Sequence, residues 1–179
     1  MQTYLIVTVI ADDRPGLVDS LAATVGAHSG NWLESNLSQL AGKFAGILRV
    51  SVKAEAAEEL VEALKALSAS DASLRIIVER VDAEAMASNS EGGSDQRDEL
   101  SIEIVANDRP GIVSEISRSL AELAINVESF TSFCEPAPMS GEPLFRARAE
   151  LSMPSSLRRG ELRARLELLA DDLMVEIID

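Results

Sequence analysis

The sequence is poor in the residue types on which many catalytic and metal sites depend. Its 179 residues include one cysteine, Cys134, and one histidine, His28. A single cysteine excludes an intrachain disulfide framework and suits a reducing cytoplasm. No cluster of His, Cys and carboxylates has the spacing of metal ligands, and no Gly-rich phosphate loop is present. We therefore expect no catalytic residue, no metal and no cofactor, with Cys134 on a strand and His28 at a helix end.

Basic residues are also few. There are 16 Lys and Arg against 30 Asp and Glu, and the net charge is −14. Binding to a phosphate backbone needs clustered Lys and Arg, so direct nucleic-acid binding is not expected. No apolar run is long enough to span a bilayer, and residues 1–4 lack the basic region of a signal peptide. We expect a cytoplasmic protein without membrane contact.

A short polar sequence occurs twice in the chain. Asp-Asp-Arg-Pro-Gly at residues 12–16 returns as Asn-Asp-Arg-Pro-Gly at residues 107–111, 95 positions later. Apolar residues flank both copies, and Asn31 and Asn126 are separated by the same 95 positions. This period is the size of a domain and exceeds the 20–50 residues typical of a solenoid repeat. The repeat therefore indicates two related domains.

The repeated stretch has the character of a turn from a strand to a helix. Proline is tolerated in the first helical turn, and the Asp before it can accept from free backbone N–H groups as a cap. Glycine lets backbone or ligand approach closely. The helix N-terminus can hold a carboxylate through its unpaired N–H groups. The alternative interpretation is a capped turn that binds nothing.

Hydrophobic periodicity predicts the order βαββαβ on each side of a linker. The first copy comprises strand 4–10, helix 16–29, strands 31–41 and 43–53, helix 55–69 and strand 74–81. The second comprises strand 100–106, helix 111–124, strand 126–135, a Pro-rich loop at 136–143, strand 144–153, helix 157–170 and strand 172–178. Residues 83–97 are rich in Ser, Gly and Asn and are predicted to be a flexible linker.

Two such copies define an α+β protein with two ferredoxin-like domains, residues 1–82 and 98–179. Each is expected to place two helices on one face of an antiparallel four-stranded sheet. The second strand of this topology lies at a sheet edge, and exposed edges tend to be covered or paired. Strands 31–41 and 126–135 are therefore expected to pair, within one chain or between copies in a homo-oligomer.

A ferredoxin-like unit with Asp-Arg-Pro-Gly-[Ile/Leu]-Val after its first strand resembles the ACT domain, a module that senses amino acids. Two units without an attached enzyme resemble the glycine cleavage system transcriptional repressor family. Formyltetrahydrofolate deformylases carry a very similar turn in their N-terminal domains. The resemblance covers nearly the whole chain outside the linker.

The resemblance implies a ligand site between two domains, near the turn after the first strand and the start of the second strand. Carried over to this sequence, it gives these residues: Asp12, Asp13, Arg14, Pro15, Gly16, Leu17, Val18 and Asn31, then Asn107, Asp108, Arg109, Pro110, Gly111, Ile112, Val113 and Asn126. Backbone N–H groups would take the carboxylate of an amino acid such as glycine or serine, and Asp or Asn its ammonium. Because Asn107 replaces Asp12, the two sites are expected to differ, or only one to bind.

Three functions agree with these observations. The resemblance implies a non-catalytic sensor that acts on a partner protein, as a transcriptional co-regulator of glycine cleavage. The alternative is a regulatory subunit that gives a metabolic enzyme amino-acid feedback control. The third is a structural pairing module that has lost ligand binding. Direct DNA binding would need a basic face and a reading helix, and the sequence predicts neither.

Overall fold

A computed structural model describes residues 2–81, 97–138 and 140–178. It forms two compact units, divided between residues 92 and 93. Residues 83–96 of the predicted linker lie outside the described residues, and Arg97 is the first residue of a strand. The domain limits at 82 and 98 stay a prediction.

The first unit contains four strands and two helices in its described residues. They are β1 (Gln2–Asp12), α1 (Leu17–Ala27), β2 (Asn31–Leu40), β3 (Lys43–Lys53), α2 (Ala57–Ser70) and β4 (Arg75–Val81). The strand order in the sheet is β2-β3-β1-β4, with antiparallel pairing throughout.

The second unit repeats this arrangement. Its elements are β5 (Arg97–Asn107), α3 (Ile112–Glu122), β6 (Asn126–Pro136), β7 (Pro143–Pro154), α4 (Arg159–Glu167) and β8 (Met174–Ile178). The strand order is β6-β7-β5-β8, again antiparallel. The predicted fold class, two ferredoxin-like α+β domains, is confirmed, and β2 and β6 lie at sheet edges. No helix of the described ranges has the length and apolar character needed to cross a membrane.

Each unit has its own hydrophobic core between the helices and one face of its sheet. Side chains alternate across a strand, so Leu5, Val7 and Val9 of β1 point to the same face and are buried there. Leu21 of α1 and Leu60 of α2 complete this core. The helices contribute one apolar stripe each, as expected of helices that cover a sheet. The second core is built in the same way from these residues among others: Ile102, Ile104, Ile116, Leu120, Leu162 and Leu166.

The face of each sheet that turns away from the helices differs between the units. In the first unit it carries Ile47 and Ile77, which are 52% and 61% exposed. The repeat places Arg148 and Glu176 at these positions, because Ile47 and Ile77 both pair with Thr8 while Arg148 and Glu176 both pair with Glu103. At these two positions the first unit therefore exposes isoleucines where the second exposes charged side chains.

Both edge strands carry an irregularity at the same place. The register of β2 shifts between Trp32 and Glu34, and that of β6 shifts between Val127 and Ser129. Each shift leaves one extra residue, Leu33 in β2 and its counterpart in β6, as in a β-bulge. The duplication thus preserves a local backbone feature that the hydrophobic pattern did not predict.

Candidate functional site

The two Asp-Arg-Pro-Gly turns are tied to their sheets by the same backbone hydrogen bond. The Asp13 N–H donates to the Gly42 carbonyl at 2.9 Å, and the Asp108 N–H donates to the Pro143 carbonyl at 2.9 Å. Gly42 lies in the β2–β3 hairpin loop, and Pro143 is the first residue of β7, directly after the β6–β7 loop. Although the second loop is longer, the second unit supplies the same acceptor. Each turn is therefore held at one end of its sheet.

Glycine begins both helices, in a backbone conformation that the sequence analysis did not predict. Gly16 and Gly111 are the N-cap residues and have φ of 91° and 92°. Left-handed backbone of this kind is accessible mainly to glycine. In neither helix does a side chain of the N-cap residue accept from the free N–H groups at the helix start. The prediction that Asp13 caps the helix, with Pro15 in its first turn, is wrong, because the chain makes a further bend at Gly16 before Leu17 enters α1.

The predicted site residues around each glycine are mostly at the surface. Leu17 and Ile112 are buried and fasten the helix starts to the cores. Val18 and Val113 are 46% and 42% exposed. The remaining turn residues are exposed except half-buried Arg109. The structure thus brings residues 12–18 together at one accessible end of the first unit, and residues 107–113 together in the second.

In the first unit, the charged side chains of the turn pair with neighbouring loops. Arg14 pairs with Asp71 in the loop before β4, and Asp12 pairs with Lys43 at the start of β3. Asp71 also accepts hydrogen bonds from Ser73, from the N–H at 2.9 Å and the hydroxyl at 2.7 Å. These two bonds, together with the charge of Arg14, hold the pKa of Asp71 below its ordinary value.

In the second unit, the arginine of the turn pairs with its own helix. Arg109 donates to both carboxylate oxygens of Glu115, at 2.9 and 2.5 Å. This fork lowers the pKa of Glu115 and raises that of Arg109. The Asn107 N–H donates to Asp172 at 2.7 Å. The counterpart of Glu115 in the first unit is Ser20, whose hydroxyl donates to the Gly16 carbonyl at 2.9 Å.

This difference changes the space beside the two glycines. A Cβ atom built on Gly16 would have nothing within 4 Å, whereas one on Gly111 would lie 4.0 Å from a carboxylate oxygen of Glu115. A negative charge near a helix N-terminus is favourable because of the helix dipole. The second unit therefore places the Glu115 carboxylate beside its glycine. In the first unit the acidic residue of the first helical turn is Asp19, and the space beside Gly16 is open.

Asn31 and Asn126 do not join the turns of their own units. Asn31 pairs with Ser51 near the end of β3, while Asp12 pairs with Lys43 at its start. Eight residues of an antiparallel strand span about 27 Å. Asn126, opposite Ser152, is equally far from Asn107, opposite Leu144. No single unit can therefore hold one small ligand between its turn and its asparagine.

Five residues whose side chains contact the turns were missed by the sequence analysis, namely Ser20, Lys43, Asp71, Glu115 and Asp172. Aligning the two copies at their 95-residue offset would have exposed the Ser20–Glu115 difference, whereas only the folded loop brings Asp71 to Arg14.

His28 lies at the C-cap of α1, where its Nδ1 is 2.9 Å from the Thr24 carbonyl oxygen. Cys134 lies on β6 and is exposed, and partial desolvation together with Asp108 raises the pKa of its thiol. A thiol in this state is a weak nucleophile.

Acid is expected to destabilise the first unit partly through Asp71. Its folded-state pKa is depressed, so its contribution to stability is present above the unfolded pKa of about 3.9 and is lost as pH falls through the folded pKa. Ser73→Ala removes the main cause of the depression. We expect this variant to lose less stability between neutral pH and acid than the wild type, as measured by urea unfolding at a series of pH values. Ser70→Ala, which removes a hydroxyl bonded to the Leu67 carbonyl instead, should follow the wild-type pH profile. Identical pH profiles for the Ser73 variant and the wild type would contradict the assignment.

The fold and the turns define a class of protein. Residues 3–78 match the family model of the ACT domain. The second unit has the same strand order, the same anchoring hydrogen bond and the same left-handed glycine. The chain is therefore a tandem protein of ACT-type fold, as the sequence predicted.

Two solved structures match the chain over its whole length. One is an unknown protein from Galdieria sulphuraria, with 24% sequence identity, a TM-score of 0.80 and full coverage of both chains. The other is provisionally assigned as a glycine cleavage system transcriptional repressor, with 14% identity, a TM-score of 0.68 and coverage of 100% of this chain and 99% of that one. No curated protein matches the sequence. At these identities the likeness concerns the fold.

Proposed function

We propose that the protein is a non-catalytic regulator that binds a small amino acid at the turn of its first unit and acts on a partner protein. The observation that carries the proposal is the open space beside Gly16, compared with the second turn, where Glu115 lies near the helix start. The ACT-type fold supports an amino acid as the ligand. We place the ligand at residues 12–18 and leave the second turn with a structural role.

The chemistry of the turn suits an amino acid. The first N–H groups of α1 have no acceptor within the helix, and together with the helix dipole they attract a carboxylate. The exposed carboxylates of Asp12 and Asp13 suit an ammonium group. Little space is needed for the side chain of glycine or serine, so these two are the first candidates.

Asn31 can contribute to the proposed site only if it comes from a second ACT-type unit that packs against the turn. Asn31 is about 27 Å from its own turn along β3, as its pairing with Ser51 shows. We place the second unit in another copy of the chain, which makes ligand binding and homo-oligomer formation linked equilibria. A ligand that binds only the oligomer would stabilise it by mass action.

The whole-length likeness to a protein assigned as a glycine cleavage repressor favours glycine cleavage as the regulated pathway. The proposed role is that of a transcriptional co-regulator. The net charge of −14 opposes direct contact with DNA. The regulator would therefore act in the cytoplasm through a protein partner, in response to glycine or serine.

Exchanging the residues at positions 20 and 115 tests the site. Calorimetric titration with glycine, serine and a panel of other amino acids should show saturable binding to the wild type. Ser20→Glu should weaken that binding at least about tenfold, because it places a carboxylate beside Gly16 as Glu115 does beside Gly111. Glu115→Ser should open a second site per chain.

Ser20→Gln is the matched control, since it adds similar bulk without the charge, and thermal unfolding checks that each variant is folded. If the wild type binds no amino acid at millimolar concentration, the sensor proposal is wrong and a structural pairing module is the better account. Equal binding by the wild type and Ser20→Glu would instead exclude the turn as the site.

A further inference from the structure

A cavity of about 580 Å³ lies beside the edge strand of the first unit. Its volume is within the range of small-molecule sites. Residues from three neighbouring strands line it, including Ile6, Glu34, Asn36, Leu37, Ile47 and Arg49. None of the turn residues 12–18 contributes to it. In the sheet, Ile6 pairs with Arg49, six residues along β3 from the Asp12–Lys43 pair. The cavity is therefore separate from the site proposed above.

Arg49 gives this cavity an unused hydrogen-bond donor. One terminal nitrogen, Nη2, forms an ion pair with a carboxylate oxygen of Glu34 at 3.0 Å. The Nε atom is buried and has no hydrogen-bond partner. A buried donor without an acceptor is unfavourable, and guanidinium groups prefer two parallel bonds to one carboxylate. The pairing with Glu34 leaves that second bond unmade.

The other parts of the cavity are suited to an apolar group. Ile6 is half-buried, and Ile47 is 52% exposed on the same face of the sheet. Ile6 lies directly opposite Arg49 in the neighbouring strand. Ile47 is two residues before Arg49 in β3, and residues two apart in a strand share a face. A ligand held by Arg49 would therefore lay an aliphatic chain against Ile6 and Ile47.

The second unit does not reproduce these features. The residues at the positions of Ile6, Ile47 and Arg49 are Ser101, Arg148 and Glu150, by their places in the sheet. An arginine at this position is therefore not needed to build the fold. Its combination with two isoleucines is specific to the first unit.

We propose that this cavity binds a small aliphatic carboxylate through the Nε–H and Nη2–H of Arg49. Glu34, which is 70% exposed, leaves the guanidinium and turns outward when the ligand carboxylate arrives. Two kinds of compound share this chemistry. A branched aliphatic amino acid would also offer an ammonium to Glu34, whereas the corresponding fatty acid would not.

Titration of the full-length protein with 4-methylpentanoate and with leucine tests the proposal. At least one should bind the wild type with a dissociation constant below about 10 mM. Arg49→Gln and Arg49→Lys should each weaken binding at least about tenfold, because both lose the guanidinium fork. Ile47→Arg, which introduces the residue found in the second unit at a half-exposed position, should also block it. Arg80→Gln is the control, because it also removes one charge, at an arginine that pairs with Glu58. This variant should bind both compounds as the wild type does.

The two kinds of ligand are separated by Glu34→Gln. This variant should weaken leucine binding selectively if the ammonium is recognised, and should leave 4-methylpentanoate unchanged. Ser20→Glu at the turn should leave both ligands unaffected, so failure of the turn site and failure of the cavity are distinguishable. The proposal is overturned if neither compound binds the wild type, if Arg49→Gln binds as the wild type does, or if Ser20→Glu abolishes binding.

Discussion

Replacing Gly46 with alanine is expected to lower the free energy of unfolding by about 3 kcal/mol, the upper part of the range for overpacking a tight site. A Cβ atom on Gly46 would lie 2.0 Å from the carbonyl oxygen of Asn36 and 2.8 Å from the Cα of Leu37. Both atoms belong to the backbone of β2, so no side-chain rotation relieves the clash. Relief requires β2 to move away from β3, which breaks part of the Leu37–Gly46 register.

Gly26→Ala is the matched control for this experiment. Gly26 lies in α1, and a Cβ atom there would meet nothing within 4 Å. Alanine favours helix more than glycine does, so this change should raise stability by up to about 1 kcal/mol. Urea unfolding of both variants measures the two opposite effects. A Gly46 variant as stable as the wild type would show that β2 approaches β3 less closely than the structure has it.

Leu60→Ala is expected to lower the free energy of unfolding by about 3 to 4 kcal/mol, within the range for truncating a buried leucine. Leu60 is fully buried in the core of the first unit, where α2 covers the sheet. Truncation loses the transfer free energy of the side chain and leaves a cavity that the packed strands cannot close. Chemical denaturation, with the slope compared to that of the wild type, measures the loss.

Leu40→Ala makes the same chemical change at the surface. Leu40 ends β2 and is 77% exposed, so its truncation should change stability by less than about 0.5 kcal/mol. Equal losses from the two leucine variants would mean that α2 does not pack on the sheet as described. A small loss at Leu60 alone would point to a core that collapses around the missing atoms.

The order of elements could be predicted because the hydrophobic periods of strands (two residues) and of helices (3.6 residues) are clear in the sequence. Alternation in Phe145, Ala147, Ala149 and Leu151 predicts a strand with one buried face, and all four are buried. The repeat supplied a second copy of each element for comparison. Helix starts were predicted less well, since a cap formed by left-handed glycine has no distinctive sequence signal apart from the glycine itself.

The candidate site could be predicted only as two separate groups of residues. Residues 12–18 follow one another in the chain, so their proximity needs no knowledge of the sheet. The position of Asn31 depends on strand direction and register: β2 and β1 both pair antiparallel with β3, and the start of one lies far from the end of the other. The Arg109–Glu115 pair depends on side-chain geometry, which the hydrophobic pattern does not contain.

The bulges in β2 and β6 bear on how exposed sheet edges avoid aggregation. Long, flat edge strands with free N–H and C=O groups are templates for aggregation. The extra residue, Leu33 in β2 and Glu128 in β6, interrupts the edge near its start and increases local twist. Only the stretch after each bulge can then offer a regular ladder to another strand. The edges can thus serve a specific partner of matching register while resisting indiscriminate stacking into fibrils.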